Sequence, residues 1–175
     1  MPERHAHSHT PRPGRRQPVS TYRLQLGPDL TFSQARRLLP YLDSLGVTDI
    51  YCSPILQAAP GSTHGYDVVD HSSISTEMGG ERAFRTLADE AHRLGMGVIV
   101  DVVPNHMAVP TPLYITKELW SVLKHGPDSP YVDWFDIEIE EEGEGVLMPV
   151  LGTRIGTALA EDTIKLETRV IPGFE

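Results

Sequence analysis

The sequence predicts an α/β fold built on a parallel sheet, and three observations predict it. Gly97-Val98-Ile99-Val100-Asp101-Val102-Val103 holds five β-branched apolar residues and reads as a strand buried on both faces. Two amphipathic helical patterns, opening near Thr31 and Gly80, alternate with strand-like runs at Ser20 and Val47. Strand–helix–strand–loop–helix–strand is the order of successive βα units, whose strands pair in parallel.

Met1 to about Pro18 is rich in His, Arg and Pro without apolar periodicity and reads as a disordered tail. His5, His7 and His9 alternate there. No strand or further ligand supports them, so they read as solvated side chains and not as metal ligands. Ser20 to Leu26 alternates like a strand, and Gly27-Pro28-Asp29 breaks it. Thr31-Phe32-Ser33-Gln34 has the form of a capping box. Ala35, Leu38, Leu39, Leu42 and Leu45 follow at helical spacing, with Gly46 as the stop and Pro40 as an expected kink or division. Val47 to Ser53 reads as a second strand. A long polar connection from Pro54 to about Met78 follows, of a length that is usually functional. Gly80 to Leu94 then places Ala83, Phe84, Leu87, Ala88, Ala91 and Leu94 on one helical face, and Gly95 ends it. After the central strand, Leu113 to Lys124 fits a helix. Trp134 to Ile139, Gly145 to Leu151 and Ile164 to Thr168 are strand candidates, so a small β-rich insertion is expected. Glu140-Glu141-Glu142 reads as a solvated hairpin tip.

A chain of 175 residues is one domain or part of a larger one. No apolar run approaches the ~18 residues of a membrane span, and no secretory leader follows the start. Cys52 is the single cysteine, which excludes an internal disulfide and fits a reducing cytoplasm. The net charge of −9 argues against a general nucleic-acid binder. No G-x-G-x-x-G, Walker A, H-E-x-x-H or cysteine pair is present, so nucleotide and zinc chemistry have no support.

Chemistry concentrates where the strands end. Asp101 interrupts the apolar run on the face shared by Ile99 and Val103, where a carboxylate needs donors or a cation. Pro104 ends the ladder and leaves Asn105 and His106 at the carboxyl rim, where parallel α/β folds bind ligands. The competing reading makes Asp101 a structural ion-pair partner and His106 a cap. His64, Tyr66 and Asp67 approach the same rim from the long connection, with Arg23 or Gln25 from the first strand. Tyr66 offers an aromatic face to the C–H groups of a sugar, while His and Asp supply donors and acceptors for hydroxyls. A turn with Gly65 at its corner and Asp67 capping it is the structural alternative. Asp67 and Asp101 are nominally the two carboxylates of glycoside chemistry, but Asp101 is expected within its strand and not beyond its end.

Asp101-Val102-Val103-Pro104-Asn105-His106 resembles the first signature of the α-amylase superfamily of glycoside hydrolases, at the end of barrel strand three. His64-Gly65-Tyr66-Asp67 resembles that superfamily's segment after strand two. The string from Ser53 to His71, with S-T-Y-R-L-Q-L at Ser20, V-P-N-H-M-A-V at Val103, W-F-D-I at Trp134 and M-P-V-L-G at Met148, is similar to the maltooligosyl trehalose synthase family. The likeness runs from about Ser20 to Leu166 and implies the N-terminal part of a (β/α)8 TIM barrel: after the tail over residues 1–18 read from composition, the first three βα units over 19–107 and a partial β-rich insertion over 108–175. It implies an enzyme that converts the reducing-end α-1,4 linkage of maltooligosaccharides to an α,α-1,1 linkage, with no cofactor; the cytoplasmic location expected rests on the single cysteine. An amylase-type hydrolase or glucosyltransferase, or an inactive glucan-binding remnant, is the alternative. His64, Tyr66, Asp67, Asp101, Asn105 and His106 are the implied substrate-binding residues. Tyr66 would stack under the sugar, His106 would bond hydroxyls, and Asp101 would pair with an arginine from a later strand. No catalytic residue is carried over, because the family's nucleophile, acid/base and third carboxylate come from later strands. In calcium-binding amylases the residue matching Asn105 can be a metal ligand, but no metal is carried over. The chain alone is therefore expected to be inactive. Maltooligosaccharide is the expected partner, with no nucleic acid or membrane.

Overall fold

Alternation sets the sheet. Leu24, Ile50, Cys52, Val98 and Val100 fall on one face of three strands and join one apolar core with two helices. In this computed structural model residues 17–110, 112–137, 148, 151–165 and 168 are described. The strands are β1 (Thr21–Leu24), β2 (Asp49–Cys52), β3 (Leu56–Ala58), β4 (Val68–Ile74) and β5 (Gly97–Val100). The helices are α1 (Phe32–Ser44), α2 (Gly80–Arg93), α3 (Lys117–His125) and α4 (Ile155–Ala160). By contact density the chain divides into two units, Met1–Trp120 and Ser121–Glu175.

In the first unit β1, β2 and β5 form a parallel sheet in that order, with Arg23, Tyr51 and Ile99 in register. Sequential neighbours joined by helices are what βα units require. Phe32, Ala35, Leu39 and Leu42 of α1 and Leu87 and Ala91 of α2 are buried against the sheet. Each large apolar side chain so buried is worth about 1.5–3 kcal/mol, which fixes both helices to one face.

The helix ends follow local chemistry. Gln34 Oε1 accepts from the Thr31 amide at 2.7 Å, and the Gln34 amide donates to Thr31 Oγ1 at 3.4 Å, closing the capping box. Gly46 stands at φ +77°, its amide bonds Asp43 O and the Val47 amide bonds Leu42 O, so orphan carbonyls of α1 are satisfied. Gly95 and Met96 repeat that pattern after α2. Pro40 does not divide α1, which runs unbroken from Phe32 to Ser44. It lies on the exposed side together with Arg36, whose carbonyl loses the hydrogen bond, so water can take that bond over.

The connection after β2 is not a plain loop. β3 and β4 pair antiparallel with irregular register at Leu56 and Gln57, and Ala58, Val68 and Val69 are buried. The strand expected at Trp134 is also absent among the described residues. Val132–Trp134 is a 3-10 turn closed by the Trp134 amide on Tyr131 O at 3.0 Å. The Tyr131 and Trp134 rings meet edge to face at 5.1 Å, a local contact an extended strand would lose. Leu113–Ile115 is a 3-10 turn ahead of α3. Residues 138–139, most of 145–151 and part of 164–168, where strands were also expected, lie outside the described residues.

Candidate functional site

The sheet face opposite the helices carries the chemistry. Arg23 and Tyr51 are register partners in β1 and β2, and Asp101 follows Ile99 on the same face. The expectation that Asp101 lies within its strand is corrected: β5 ends at Val100, and Asp101 is the next residue. Its amide still bonds Cys52 O at 3.0 Å, so the backbone is held like a strand while the carboxylate stands at the rim.

Asp101 Oδ2 accepts two phenols, Tyr66 at 2.6 Å and Tyr51 at 3.0 Å. Tyr66 Oη in turn accepts from Arg23 Nη2 at 3.2 Å, while Arg23 Nη1 donates to Gln25 Oε1 at 2.7 Å. A phenol thus bridges cation and anion, donating to one and accepting from the other. The Arg23 guanidinium also sits 5.7 Å above the Tyr51 ring centre, within cation–π range. The hydrogen bond to Asp101, with burial next, pushes the Tyr51 phenol above the ordinary tyrosine range and keeps it a donor. Burial pushes the Cys52 thiol up to about 11, which makes it an inert core group.

The loop that delivers Tyr66 is a fixed turn. Gly65 has φ +79°, and a Cβ there would lie 2.9 Å from the Pro54 carbonyl oxygen. The Gly65 amide donates to Ser62 Oγ at 3.0 Å, and that hydroxyl bonds Asp67 Oδ1. The Tyr66 amide donates to His64 Nδ1 at 3.0 Å, so the His64 ring proton sits on Nε2. The 3.7 Å approach of His64 Nδ1 to Asp67 is therefore not an ion pair. The His64 and Tyr66 rings stack with centres 6.1 Å apart, and Glu77 accepts from the Gly61 amide at 3.1 Å. Asp67 thus acts as the anchor of the turn that the structural alternative described.

The six residues singled out from sequence separate into three groups. Tyr66 and Asp101 meet directly with Arg23, and Gln25 Nε2 reaches the His64 carbonyl at 3.5 Å. Asp67 and His64 build the turn behind Tyr66. Asn105 and His106 are exposed and bond each other, Oδ1 to Nδ1 at 3.1 Å. Their segment is tied down by His71, whose Nε2 donates to Val103 O at 2.8 Å, and by the Ala108 amide on Val68 O at 2.7 Å. Tyr51, Ser62 and His71 were not singled out from sequence. Tyr51 shares the parity of Arg23 and Asp101, and that signal appears only when the strands are set side by side. Among the described residues no group of three His, Cys, Asp or Glu is placed to hold a metal. No helix there is long and apolar enough to cross a membrane.

A rim of phenols, carboxylate and guanidinium, with Tyr66 still 38% exposed, suits an amphipathic ring that stacks and bonds hydroxyls. Residues 36–155 match the family model described as "Alpha amylase, catalytic domain", and the chain belongs to that family. Its fold is accordingly of the TIM-barrel type. The chain is 48% identical to maltooligosyltrehalose synthase from Arthrobacter ramosus, with TM-score 0.67 over 69% of this chain and 16% of that one. A crystal structure of maltooligosyl trehalose synthase superposes with TM-score 0.76 at 42% identity, covering 85% of this chain and 20% of the other. Intracellular maltogenic amylase of Bacillus subtilis (strain 168) is 40% identical over 99 residues, 57% of this chain and 16% of its own length. The chain thus spans at most about a fifth of these relatives.

Proposed function

We propose that this chain is the N-terminal part of a cytoplasmic enzyme that moves the reducing-end α-1,4 linkage of a maltooligosaccharide to an α,α-1,1 linkage. The carrying observation is the Tyr66–Asp101 contact at the carboxyl rim of the sheet, in a chain 48% identical to a maltooligosyltrehalose synthase. In this reading Tyr66 is the platform under the sugar next to the cleavage point. His64 and Asp67 hold that platform's turn and line the pocket, and Asn105 and His106 reach glucan hydroxyls from the other loop. Asp101 keeps a carboxylate oxygen toward the phenols and meets an arginine from a later strand. Residues 19–107 supply the first three βα units, 108–175 begin an insertion, and 1–18 form a tail.

The reaction is a retaining double displacement. A carboxylate attacks the anomeric carbon as a second protonates the leaving oxygen, giving a glycosyl-enzyme. The released glucose turns and attacks through its own anomeric hydroxyl, returning the proton to the acid/base carboxylate. Both carboxylates belong to later strands, and the turn's commitment of Asp67 to Ser62 supports that assignment. Water kept from the intermediate decides isomerisation against hydrolysis. A hydrolase with the same rim is the second reading, favoured by the likeness to the maltogenic amylase. Incubating the full-length enzyme with maltopentaose tests both: a non-reducing, trehalose-ended product is expected. Free reducing sugar as the main product would leave the hydrolase.

A further inference from the structure

Tyr51 lies outside the motifs that carry the family likeness, yet its hydroxyl reaches the same carboxylate oxygen as Tyr66. The χ2 torsion of an aspartate is broad and sets no orientation by itself. Two donors on one oxygen do set it, because rotation gives up both. Of the two, Tyr66 comes from a turn, whereas Tyr51 stands in the central strand between Arg23 and Ile99. Its ring is further held by the guanidinium of Arg23, which also bonds Tyr66. Tyr51 is therefore the strand-borne member of the set, held by ladder pairing on both sides. From it the line of contacts runs through Asp101 to the loop-borne ring.

We infer that Tyr51 is a positioning residue of the glucan site: through Asp101 its hydroxyl fixes the height and tilt of the Tyr66 ring on which the sugar stacks. This rests on the reading of Tyr66 as a sugar platform. A Tyr51 that merely filled space beside Ile99 would be replaced by phenylalanine without loss. A Tyr51 that positions the site loses its effect with the hydroxyl alone.

The test uses the full-length enzyme. Tyr51→Phe is expected to lower kcat/KM on maltopentaose about tenfold, the scale of one hydrogen bond to a charged group. The thermal midpoint should stay near the parent's, and the share of hydrolysed product should rise as the platform loosens. In an Asp101→Ala background the same change should add nothing, since groups acting in series are not additive. Parent-like kinetics and product ratio, or an equal tenfold loss in both backgrounds, would overturn the inference. A second readout needs no turnover. With tyrosines labelled at the 13C ring carbon bearing oxygen, Tyr51 should ionise above the ordinary range, and Asp101→Asn should bring it back. An unmoved titration would also overturn the inference. A parent that forms no trehalose-ended product would instead count against the proposed reaction, and the titration would still decide Tyr51.

Discussion

Gly65 decides where Tyr66 can stand. Its φ of +79° is costly for any residue with a Cβ, and that Cβ would meet the Pro54 carbonyl at 2.9 Å, backbone that cannot swing aside. Gly65→Ala should therefore cost about 1–3 kcal/mol of stability and displace the ring in the full-length enzyme. Thermal unfolding and maltooligosaccharide affinity would both fall, and an unchanged affinity would show that the turn does not serve the site. Tyr66→Ala acts on the same contact from the other end. It removes a stacking face worth on the order of 1 kcal/mol and takes away the phenol between Arg23 and Asp101. Calorimetric titration with maltopentaose should show weaker binding, with turnover reduced as well. Binding and turnover like the parent's would take this loop out of the pocket.

The β3–β4 hairpin carries that turn, and one carboxylate pins its far strand. Asp70 accepts from the Ser72 amide at 2.7 Å and from the Ser72 and Ser73 hydroxyls at 2.6 Å each. Burial alone would raise its pKa, but these hydrogen bonds and the charge of Lys117 outweigh it and hold the carboxyl below the usual range. A lowered folded value means the stabilisation is present above the unfolded value of about 3.9 and is lost as pH falls through the folded one. Amide exchange at Ser72, corrected for its intrinsic rate, should accelerate below about pH 4, and Asp70→Asn should abolish that dependence. Exchange that ignores pH in the parent would mean the carboxylate does not hold the strand. This hairpin was invisible in the sequence because Val68 to Ile74 breaks alternation with Asp70-His71-Ser72-Ser73, and the register slips at Gln57. The helices were legible for the opposite reason. Thr31 with Gln34, Gly46 and Gly95 satisfy backbone groups within a few residues, so their pattern is written locally. Tyr66 and Asp101 were legible through their motifs, whereas Tyr51 becomes functional only through the cross-strand register that brings it beside them.

At the scale of the whole chain, the sheet poses a question of completeness that experiment can answer. Among the described residues β1 and β5 each pair along one side, with β2 between them. A closed barrel of this type takes eight strands and typically about 250 residues. Unpaired strand edges present rows of free amides and carbonyls that invite other chains. All four residues of β5 remain half-buried only, although their β-branched composition suits burial on both faces. Along α1 and its C-cap, Leu38, Tyr41 and Leu45 recur at helical spacing as an exposed stripe. Residues 1–175 on their own are thus expected to scatter light, bind hydrophobic dyes and melt without a sharp transition. They are also expected to leave maltopentaose untouched, because Asp67 is engaged in its turn and Asp101 is bonded to two phenols. Light scattering, calorimetry and product analysis on the purified chain check each point. A soluble monomer with a steep cooperative melt would mean that these strands form a complete domain of another kind. Turnover would weigh more heavily still: two carboxylates of this chain would have to flank the scissile bond, and Asp67 with Asp101 would return as that pair.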